Sequence, residues 1–211
     1  MAEDVFLNHI TAEQDATRRA LRAEHRERRR AVPVRERLDA AAAVSAALLP
    51  WLIGQQGRIA GYWAVGGELP LHAVQANLPA TLQWCLPVLH DDQRLRFREW
   101  SAGGALEPNG HGIPEPTDGP LLEPDALSIV LVPLLAFDAQ GQRLGQGGGW
   151  YDRSFAFRKD ADRAQPLLVG IGYDWQQVEA LHAAPWDVAL DAIATPAGVR
   201  QISAAAIQRP S

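Results

Sequence analysis

The sequence predicts a single-domain α/β fold: a mostly parallel β-sheet with helices on both faces, a three-layer arrangement of the Rossmann-like kind. Three observations predict it. Continuous apolar runs, of which 127–132 is the clearest, have the pattern of strands buried on both faces. Segments with helical character alternate with these runs. The 211 residues suffice for one well-filled core, so 1–211 is predicted to be one domain.

Two helices are predicted to open the chain. Thr11 and Gln14 have the spacing of a capping box for a helix that runs to about Ala31, and Pro33 ends it. A second helix, rich in Ala and Leu, is predicted over 34–53. Residues 1–10 are compatible with a frayed end. The elements that follow are predicted in this order: strand 59–63, short helix 71–78, strand 84–89 and strand 95–100.

The second half of the chain alternates loops with apolar runs. Residues 101–126, rich in Gly and Pro, are predicted to be one long loop, and such loops are often functional. A second loop, 134–146, follows the strand 127–132, with its turn at 138–141. The remaining predictions are helix 149–158, strand 167–172, helix 176–182 and strand 188–194. A ligand is then expected at the carboxyl ends of the parallel strands.

Composition excludes several classes of protein. Cys85 is the single cysteine, which rules out an intrachain disulfide and a cysteine metal cluster and favours a reducing cytoplasm. Cys85 stands in an apolar run, so we expect a core thiol rather than a nucleophile. The six histidines show no metal-ligand spacing. No signal peptide or membrane-spanning run is visible, and we expect a cytoplasmic monomer that does not bind membranes.

The most informative stretch is a glycine loop. Four of the five residues from Gly145 to Gly149 are glycines, so their amide groups can approach an anion without Cβ atoms in the way. Arg143 precedes them, and two aromatic residues and Asp152 follow. This set suits a phosphate held with a metal ion. The loop is neither a Walker A motif nor a dinucleotide fingerprint. The alternative is a tight loop whose glycines serve only its turns.

Segment 133–153, which contains this loop, resembles the signature of the 5-formyltetrahydrofolate cyclo-ligase family, also called 5,10-methenyltetrahydrofolate synthetases. Three further segments agree in order, and the resemblance extends from about Thr17 to Val199: they are 18–31, 112–116 and 185–195. The chain also departs from the pattern. Arg18 stands where Lys is common, some members have a Lys within the glycine loop, and Trp150 replaces a usual Tyr or Phe.

The resemblance implies ATP-dependent cyclisation of 5-formyltetrahydrofolate to 5,10-methenyltetrahydrofolate, with release of ADP and phosphate. Transfer of the γ-phosphoryl group makes the formyl oxygen a good leaving group, and N10 attacks the activated carbon. The protein then has to position the substrates and neutralise charge rather than supply a nucleophile. The sequence accordingly shows no persuasive Ser-His-Asp or Cys-His pair.

Resemblance and residue chemistry together predict the site, with ATP as co-substrate and Mg²⁺ as cofactor. The predicted catalytic residues are Arg143, Tyr151 and Asp152. The predicted ATP-binding residues are Arg18, Arg22, Arg143, Leu144, Gly145, Gln146, Gly147, Gly148, Gly149, Trp150 and Tyr151. The predicted folate-binding residues are Tyr62, Glu68 and Tyr151. The predicted Mg²⁺ ligands are Asp152 and Asp191.

Several of these assignments have a structural alternative. Tyr62 and Trp63 are about equally compatible with core packing. Asp152 suits the first turn of a helix, where the dipole favours an acid. Asp191 lies in an apolar run, where an acid without a function would be costly to bury. Glu115, between two prolines, is either a rim contact or part of a rigid turn with an exposed acid.

The arginine-rich first helix allows three interpretations. It could contact nucleic acid, form a solvated face, or bind phosphate. At 100° per residue, Arg18, Arg22 and Arg29 fall within about 40° of one line and share a face. The resemblance favours phosphate binding for Arg18 and Arg22. Nucleic acid is disfavoured because the charges of the first forty residues nearly balance and no aromatic RNA platform is present.

Overall fold

The computed structural model describes residues 10–160 and 165–203. Its helices are α1 (Ala12–Ala31), α2 (Val34–Leu52), α3 (His72–Ala76) and α4 (Trp150–Ser154). Its strands are β1 (Gly57–Ala60), β2 (Leu82–Leu89), β3 (Leu95–Glu99), β4 (Leu106–Pro108), β5 (Pro114–Pro116), β6 (Ile129–Pro133), β7 (Ala136–Phe137), β8 (Arg143–Leu144), β9 (Leu167–Ile171), β10 (Ala192–Thr195) and β11 (Gly198–Gln201). The expectation of a frayed end falls almost entirely on residues 1–9, which lie outside the described part.

One seven-stranded sheet organises the described residues, in the order β11-β10-β9-β6-β1-β2-β3. The five inner strands run parallel, and β3 and β11 add antiparallel strands at the two edges. Parallel strands need crossover connections, which place the intervening segments on the faces of the sheet. The prediction of a mostly parallel α/β sheet is therefore confirmed.

Each face of the sheet carries its own core, because successive strand residues point to opposite sides. On one face, Ile59 and Leu131 pack with Leu48 of α2 and Val74 of α3. On the other face, a second set packs around Phe155, which follows α4, and it includes Ala60, Cys85, Phe97, Val130 and Val132. Helices thus lie on both faces, as the sequence predicts. No helix in the described residues is both long and apolar enough to cross a bilayer.

The first helix begins as predicted and buries polar side chains. The Thr11 hydroxyl accepts from the Gln14 amide, and the Gln14 side chain accepts from the Thr11 amide, which completes the capping box. The buried residues of α1 are Arg18, His25 and Arg29 rather than aliphatic ones. The His25 Nδ1 lies 2.8 Å from the Leu135 carbonyl oxygen, so α1 packs on the loop after β6. A polar helix face therefore borders the carboxyl end of the sheet.

Cys85 is a core thiol, as predicted. It lies on β2 with none of its surface exposed. Burial raises the pKa of its thiol to about 12, so the reactive thiolate is scarce at neutral pH.

Near the carboxyl end of the chain, one predicted helix is wrong and one predicted strand begins later than expected. The predicted helix 176–182 is absent; a single 3₁₀ turn, Asp174–Gln176, ends where that helix was expected to begin. The buried Gln176 side chain donates to the carbonyls of Leu134 and Leu135, which fixes the chain there, and Val178 then pairs with Phe137. The last inner strand begins at Ala192 rather than 188, because the Leu190 amide donates to the Gly141 carbonyl.

Three other segments differ from the prediction: two predicted loops contain β-hairpins, and one predicted helix is divided into two short helices. The loop 101–126 contains the β4–β5 hairpin and a 3₁₀ turn at Pro124–Ala126. The loop 134–146 contains the β7–β8 hairpin, which ends where the glycines begin. The predicted helix 149–158 is split into α4 and a 3₁₀ helix at Ala156–Lys159. The edge strand β11 is an addition that the sequence analysis did not predict.

Candidate active site

A cleft of about 280 Å³ opens at the carboxyl ends of three neighbouring parallel strands. Pro133 at the end of β6, Tyr62 just after β1 and Leu89 at the end of β2 all line it. This is the edge of the sheet at which the sequence analysis places a ligand. The predicted residues that line it are Arg18, Arg22, Tyr62, Glu68, Arg143, Gly145, Gln146, Gly147, Gly148, Gly149, Trp150, Tyr151 and Asp152.

The glycine loop forms one wall of the cleft, and its backbone requires glycine. Gly147 and Gly149 have φ angles of 106° and 67°, in the left-handed region that side chains rarely adopt. At Gly148, a Cβ atom would lie 2.9 Å from Cδ1 of Trp150. The glycines thus serve the turn, while the absence of side chains also leaves the amides accessible. Both interpretations of the loop remain compatible with this geometry.

Leu144 does not reach the cleft. It is fully buried and pairs with Ala136 in the β7–β8 hairpin. Its place before Gly145 makes it an anchor for the loop rather than a lining residue.

Asp191 is not brought into the cleft either. Both of its carboxylate oxygens have partners within the protein: Arg158 at 2.8 Å, the Leu168 amide at 2.8 Å and the Ser203 hydroxyl at 2.7 Å. An ion pair with hydrogen bonds at every oxygen is how a protein compensates a buried carboxylate. These contacts therefore explain why Asp191 is buried without a role as a metal ligand.

Asp152 faces the cleft and pairs with Arg143. The Arg143 Nη2 lies 2.6 Å from Oδ1 of Asp152, and the Val188 amide donates to the same oxygen at 3.1 Å. Among the described residues, Oδ2 of Asp152 has no hydrogen-bond partner. The Arg143 guanidinium lies 5.9 Å from the centre of the Tyr151 ring, which lies nearly parallel to Phe155 behind it. Burial raises the pKa of Tyr151, so its phenol stays protonated.

The capacity of the site for a metal ion rests on one carboxylate. The described residues contain no group of three His, Cys, Asp or Glu side chains that could form a metal cage. Mg²⁺ commonly takes one or two carboxylates and completes its shell with phosphates and waters. Oδ2 of Asp152 supplies one such oxygen, so the donor set fits Mg²⁺ only in the company of a phosphate ligand.

The three arginines predicted to share a face of α1 do so, but they have protein partners. Arg18 forms a two-pronged pair with Asp187, at 2.8 and 3.2 Å, and donates to the His182 carbonyl. The Arg22 Nε donates to the Gly145 carbonyl at 3.1 Å. Burial, and then the charge of Arg18, lowers the pKa of Arg22. Arg22 thus contacts the glycine loop directly from α1.

Glu68 is a buried carboxylate at the inner end of the cleft. Its Oε1 lies 3.4 Å from Nη1 of Arg29 and 3.3 Å from Nε2 of Gln146, and its Oε2 accepts from the Val65 amide at 3.0 Å. Burial raises the pKa of Glu68, and the charge of Arg29 opposes that shift. The Tyr62 ring forms the adjacent wall, and its hydroxyl donates to the Leu69 carbonyl at 2.9 Å.

Tyr62 and Trp63 differ in burial, although the same two interpretations were open for both from the sequence. Tyr62 is buried and packs in the core while one side of it lines the cleft. Trp63 is 40% exposed and meets Trp100 edge to face. Core packing and substrate contact are therefore both compatible with Tyr62, and Trp63 lies at the rim.

Two acids outside the predicted set of site residues also line the cleft. Asp187, which sequence analysis missed, holds Arg18 from 169 positions away, a separation that no local pattern reveals. Glu115 is a rim residue whose carboxylate is engaged: it accepts from the Leu89 amide at 2.9 Å and from Asn109 at 2.6 Å. The proline on either side of Glu115 was the only signal of a rigid, ordered turn.

Comparison with known proteins agrees with the resemblance. The model of the 5-formyltetrahydrofolate cyclo-ligase family matches residues 14–196. A cyclo-ligase of Haemophilus influenzae is 36% identical over 141 residues, 64% of this chain and 74% of the relative. One of Escherichia coli is 39% identical over 118 residues, 54% of this chain and 63% of the relative.

A solved structure agrees as well. The NMR structure of Aquifex aeolicus 5,10-methenyltetrahydrofolate synthetase superposes with a TM-score of 0.74 at 27% identity and covers 88% of this chain and 92% of that one. The family match spans both the first helix and the glycine loop, two of the elements that line the cleft. The chain therefore belongs to the 5-formyltetrahydrofolate cyclo-ligase family of ATP-dependent enzymes.

Proposed function

We propose that this chain, as one domain over residues 1–211, carries out the reaction of its family in this cleft. ATP phosphorylates the formyl oxygen of 5-formyltetrahydrofolate, N10 attacks the formyl carbon, and phosphate leaves with 5,10-methenyltetrahydrofolate as the product. The observation that supports the proposal most is the meeting of the glycine loop and a buried carboxylate, Glu68, in one cleft.

The glycine loop and its neighbours are proposed to hold ATP. The amides of Gly147, Gly148 and Gly149 donate to phosphate oxygens, and Arg22 and Arg143 supply positive charge beside them. Arg18 contributes its charge while it remains paired with Asp187. Trp150 and Tyr151 offer aromatic faces at the same wall. These groups position the triphosphate and neutralise the charge that moves during transfer.

Mg²⁺ is proposed to bind at Asp152. The free Oδ2 of Asp152 is the one carboxylate oxygen that we assign to it, with phosphate oxygens and waters as the other ligands. A bound Mg²⁺ would neutralise the phosphates and hold them in line for transfer. Asp191 is assigned to structure, because Arg158 and Ser203 occupy its oxygens.

Folate is proposed to bind at the inner end of the cleft. The pterin ring carries an amino group and a ring N–H side by side, and the Glu68 carboxylate accepts from both. Tyr62 and Tyr151 provide the flanking rings. No side chain needs to act as a nucleophile, because the phosphoryl group passes between the two substrates. Arg143 and Tyr151, next to the glycine loop, are proposed to contact the transferring group.

The reaction is tested by mixing purified protein with 5-formyltetrahydrofolate and Mg-ATP and following the near-ultraviolet absorbance of the methenyl product. We expect a rise that requires both substrates, with one ADP released per product. A folded protein that gives no rise with both substrates present would refute the proposed activity.

Folate binding is expected to weaken as the pH falls, because burial raises the pKa of Glu68. Only the ionised carboxylate accepts both pterin hydrogen bonds, and a raised pKa means that it protonates at a higher pH than an ordinary Glu. Below that pKa, affinity should fall about tenfold per pH unit. The dissociation constant is measured from about pH 8 down to about pH 4, so that the acid end lies below the ordinary pKa of a Glu.

The matched variants isolate this carboxylate. Glu68→Gln should bind folate about ten- to a hundredfold more weakly at neutral pH, with little dependence on pH in the acid range. Glu107→Gln, an exposed position, should keep the wild-type profile. A pH-independent dissociation constant in the wild type would contradict the assignment of Glu68 to the pterin.

We further propose that the enzyme is a cytoplasmic monomer. It is proposed to need neither nucleic acid nor a membrane. The single, buried Cys85 suits a reducing compartment. The buried arginines of α1 are turned toward the protein rather than toward an external polyanion, since Arg18 pairs with Asp187 and Arg29 with Glu68. Light scattering of the purified protein would give the mass in solution and test the monomer directly.

A further inference from the structure

Gln146 joins the two halves of the cleft. It lies within the glycine loop, between Gly145 and Gly147, and its Nε2 lies 3.3 Å from Oε1 of Glu68. Gln146 belongs to the wall that we assign to ATP binding. Glu68 is the carboxylate that we assign to folate binding. One hydrogen bond between residues 78 positions apart therefore connects the two binding surfaces.

The chemistry of its neighbours fixes the orientation of the Gln146 amide. Arg26 of α1 donates from Nε to Oε1 of Gln146 at 3.3 Å and from Nη2 to the Gln146 carbonyl at 3.2 Å. A guanidinium only donates and a carboxylate only accepts, so the amide oxygen must face Arg26 and the amide nitrogen must face Glu68. The residue is thus aligned from outside the cleft and points inward.

The other contacts of Glu68 do not come from the glycine loop. The Val65 amide holds Oε2, and Arg29 of α1 stands beside Oε1. Within the described part of the chain, Gln146 is the loop residue that hydrogen-bonds to Glu68. A movement of the loop would therefore change the position of the Glu68 carboxylate through the Gln146 side chain.

We propose that Gln146 is a positioning residue that couples the two substrate sites: ATP on the glycine loop fixes the Gln146 amide against Glu68, and folate then binds more tightly. This inference rests on the proposed function. A loop with four glycines in five positions has much conformational freedom to lose. Once the first ligand has ordered it, the second ligand meets a smaller entropy cost. By linkage, folate tightens ATP binding by the same factor.

The coupling is measured as a ratio of two dissociation constants. Binding of 5-formyltetrahydrofolate is followed by tryptophan fluorescence, with and without a saturating non-hydrolysable ATP analogue and Mg²⁺; Trp150 and Trp186 line the cleft. In the wild type we expect the analogue to tighten folate binding about five- to tenfold. In Gln146→Ala the ratio should fall to about 1. Without the Gln146 amide, the loop arrangement that the ATP analogue stabilises no longer affects the folate site, so the analogue no longer changes folate affinity.

Two further variants keep the test independent of folding. Gln146→Asn retains the amide but shortens the side chain by one methylene, so the contact with Glu68 is lost and the coupling should vanish as in the alanine variant. Gln140→Ala removes an exposed glutamine before the loop and should keep the wild-type ratio. A general loss of structure would instead change the affinity of each ligand alone.

The outcomes separate the inference from the proposed function. Loss of coupling in both Gln146 variants, with each ligand still bound singly, supports the inference. Coupling that survives in Gln146→Ala overturns it. A wild type that binds both ligands without coupling also overturns it and leaves the function intact, whereas a folded wild type that binds neither ligand overturns both.

Discussion

Replacement of Asp152 by Asn is expected to lower kcat by about 10²- to 10³-fold while the protein stays folded. The carboxamide oxygen can still accept from Arg143 and from the Val188 amide, so the local hydrogen bonds persist. The substitution removes the negative charge of a carboxylate that lines the cleft. We assign that charge to the Mg²⁺ that accompanies the phosphates.

The measurement combines steady-state kinetics with a Mg²⁺ titration. Besides the loss of kcat, the Asn variant should need more Mg²⁺ for half of its remaining rate, because a ligand of the ion is gone. Asp118→Asn, at an exposed position, should leave both quantities unchanged. Asp191→Asn should reduce stability without changing the Mg²⁺ requirement, since Asp191 is bound to Arg158 and Ser203. An Asp152→Asn enzyme with the wild-type rate would remove the metal assignment.

Replacement of Arg29 by Met is expected to lower the free energy of unfolding by about 3–5 kcal/mol. Arg29 is 1% exposed, and its guanidinium donates to the carbonyls of Leu134 and Gly66 while it faces Glu68. Met fills much of the volume but leaves the buried Glu68 carboxylate without its cation. A single unpaired charge in a buried site is among the costliest local changes a domain can suffer.

Urea unfolding measures the change, and the chain offers a matched control. Arg30 is the next residue on α1 and is exposed, so Arg30→Met should change stability by less than about 0.5 kcal/mol. Adding Glu68→Gln to Arg29→Met should restore part of the loss, because the buried acceptor is then neutral. If Arg29→Met and Arg30→Met unfold at the same urea concentration, the buried pair does not stabilise the fold in the way described.

Local sequence patterns predicted the elements whose cause is local. The capping box of Thr11 and Gln14 begins α1 where expected, and the apolar run 127–132 overlaps the strand β6, whose ends lie one or two residues later. The common face of Arg18, Arg22 and Arg29 follows from helical periodicity alone. The glycine loop also has a local cause. The positive φ angles at Gly147 and Gly149 exclude most side chains, so a run of glycines in the sequence predicts such a loop.

Local sequence patterns predicted secondary structure wrongly where contacts with distant residues determine the backbone conformation. The segment 176–182 has helical character, yet buried hydrogen bonds from Gln176 to Leu134 and Leu135 hold it in another conformation. The start of β10 is set by a contact between Leu190 and Gly141. Tertiary contacts of this kind override intrinsic propensity, because they stabilise a segment by more than the small preference of its residues for helix or strand.

The sequence by itself determined the α/β class, the glycine loop, the shared face of the arginines and, through its resemblance, the family. Only the tertiary structure decided which charges meet: Arg18 with Asp187, Arg29 with Glu68, Arg143 with Asp152, and Asp191 with Arg158 rather than with the cleft. The physical reason is that periodicity places a side chain on a face of its own element, whereas an ion pair depends on how two different elements pack against each other, and most of these pairs join elements far apart in the chain.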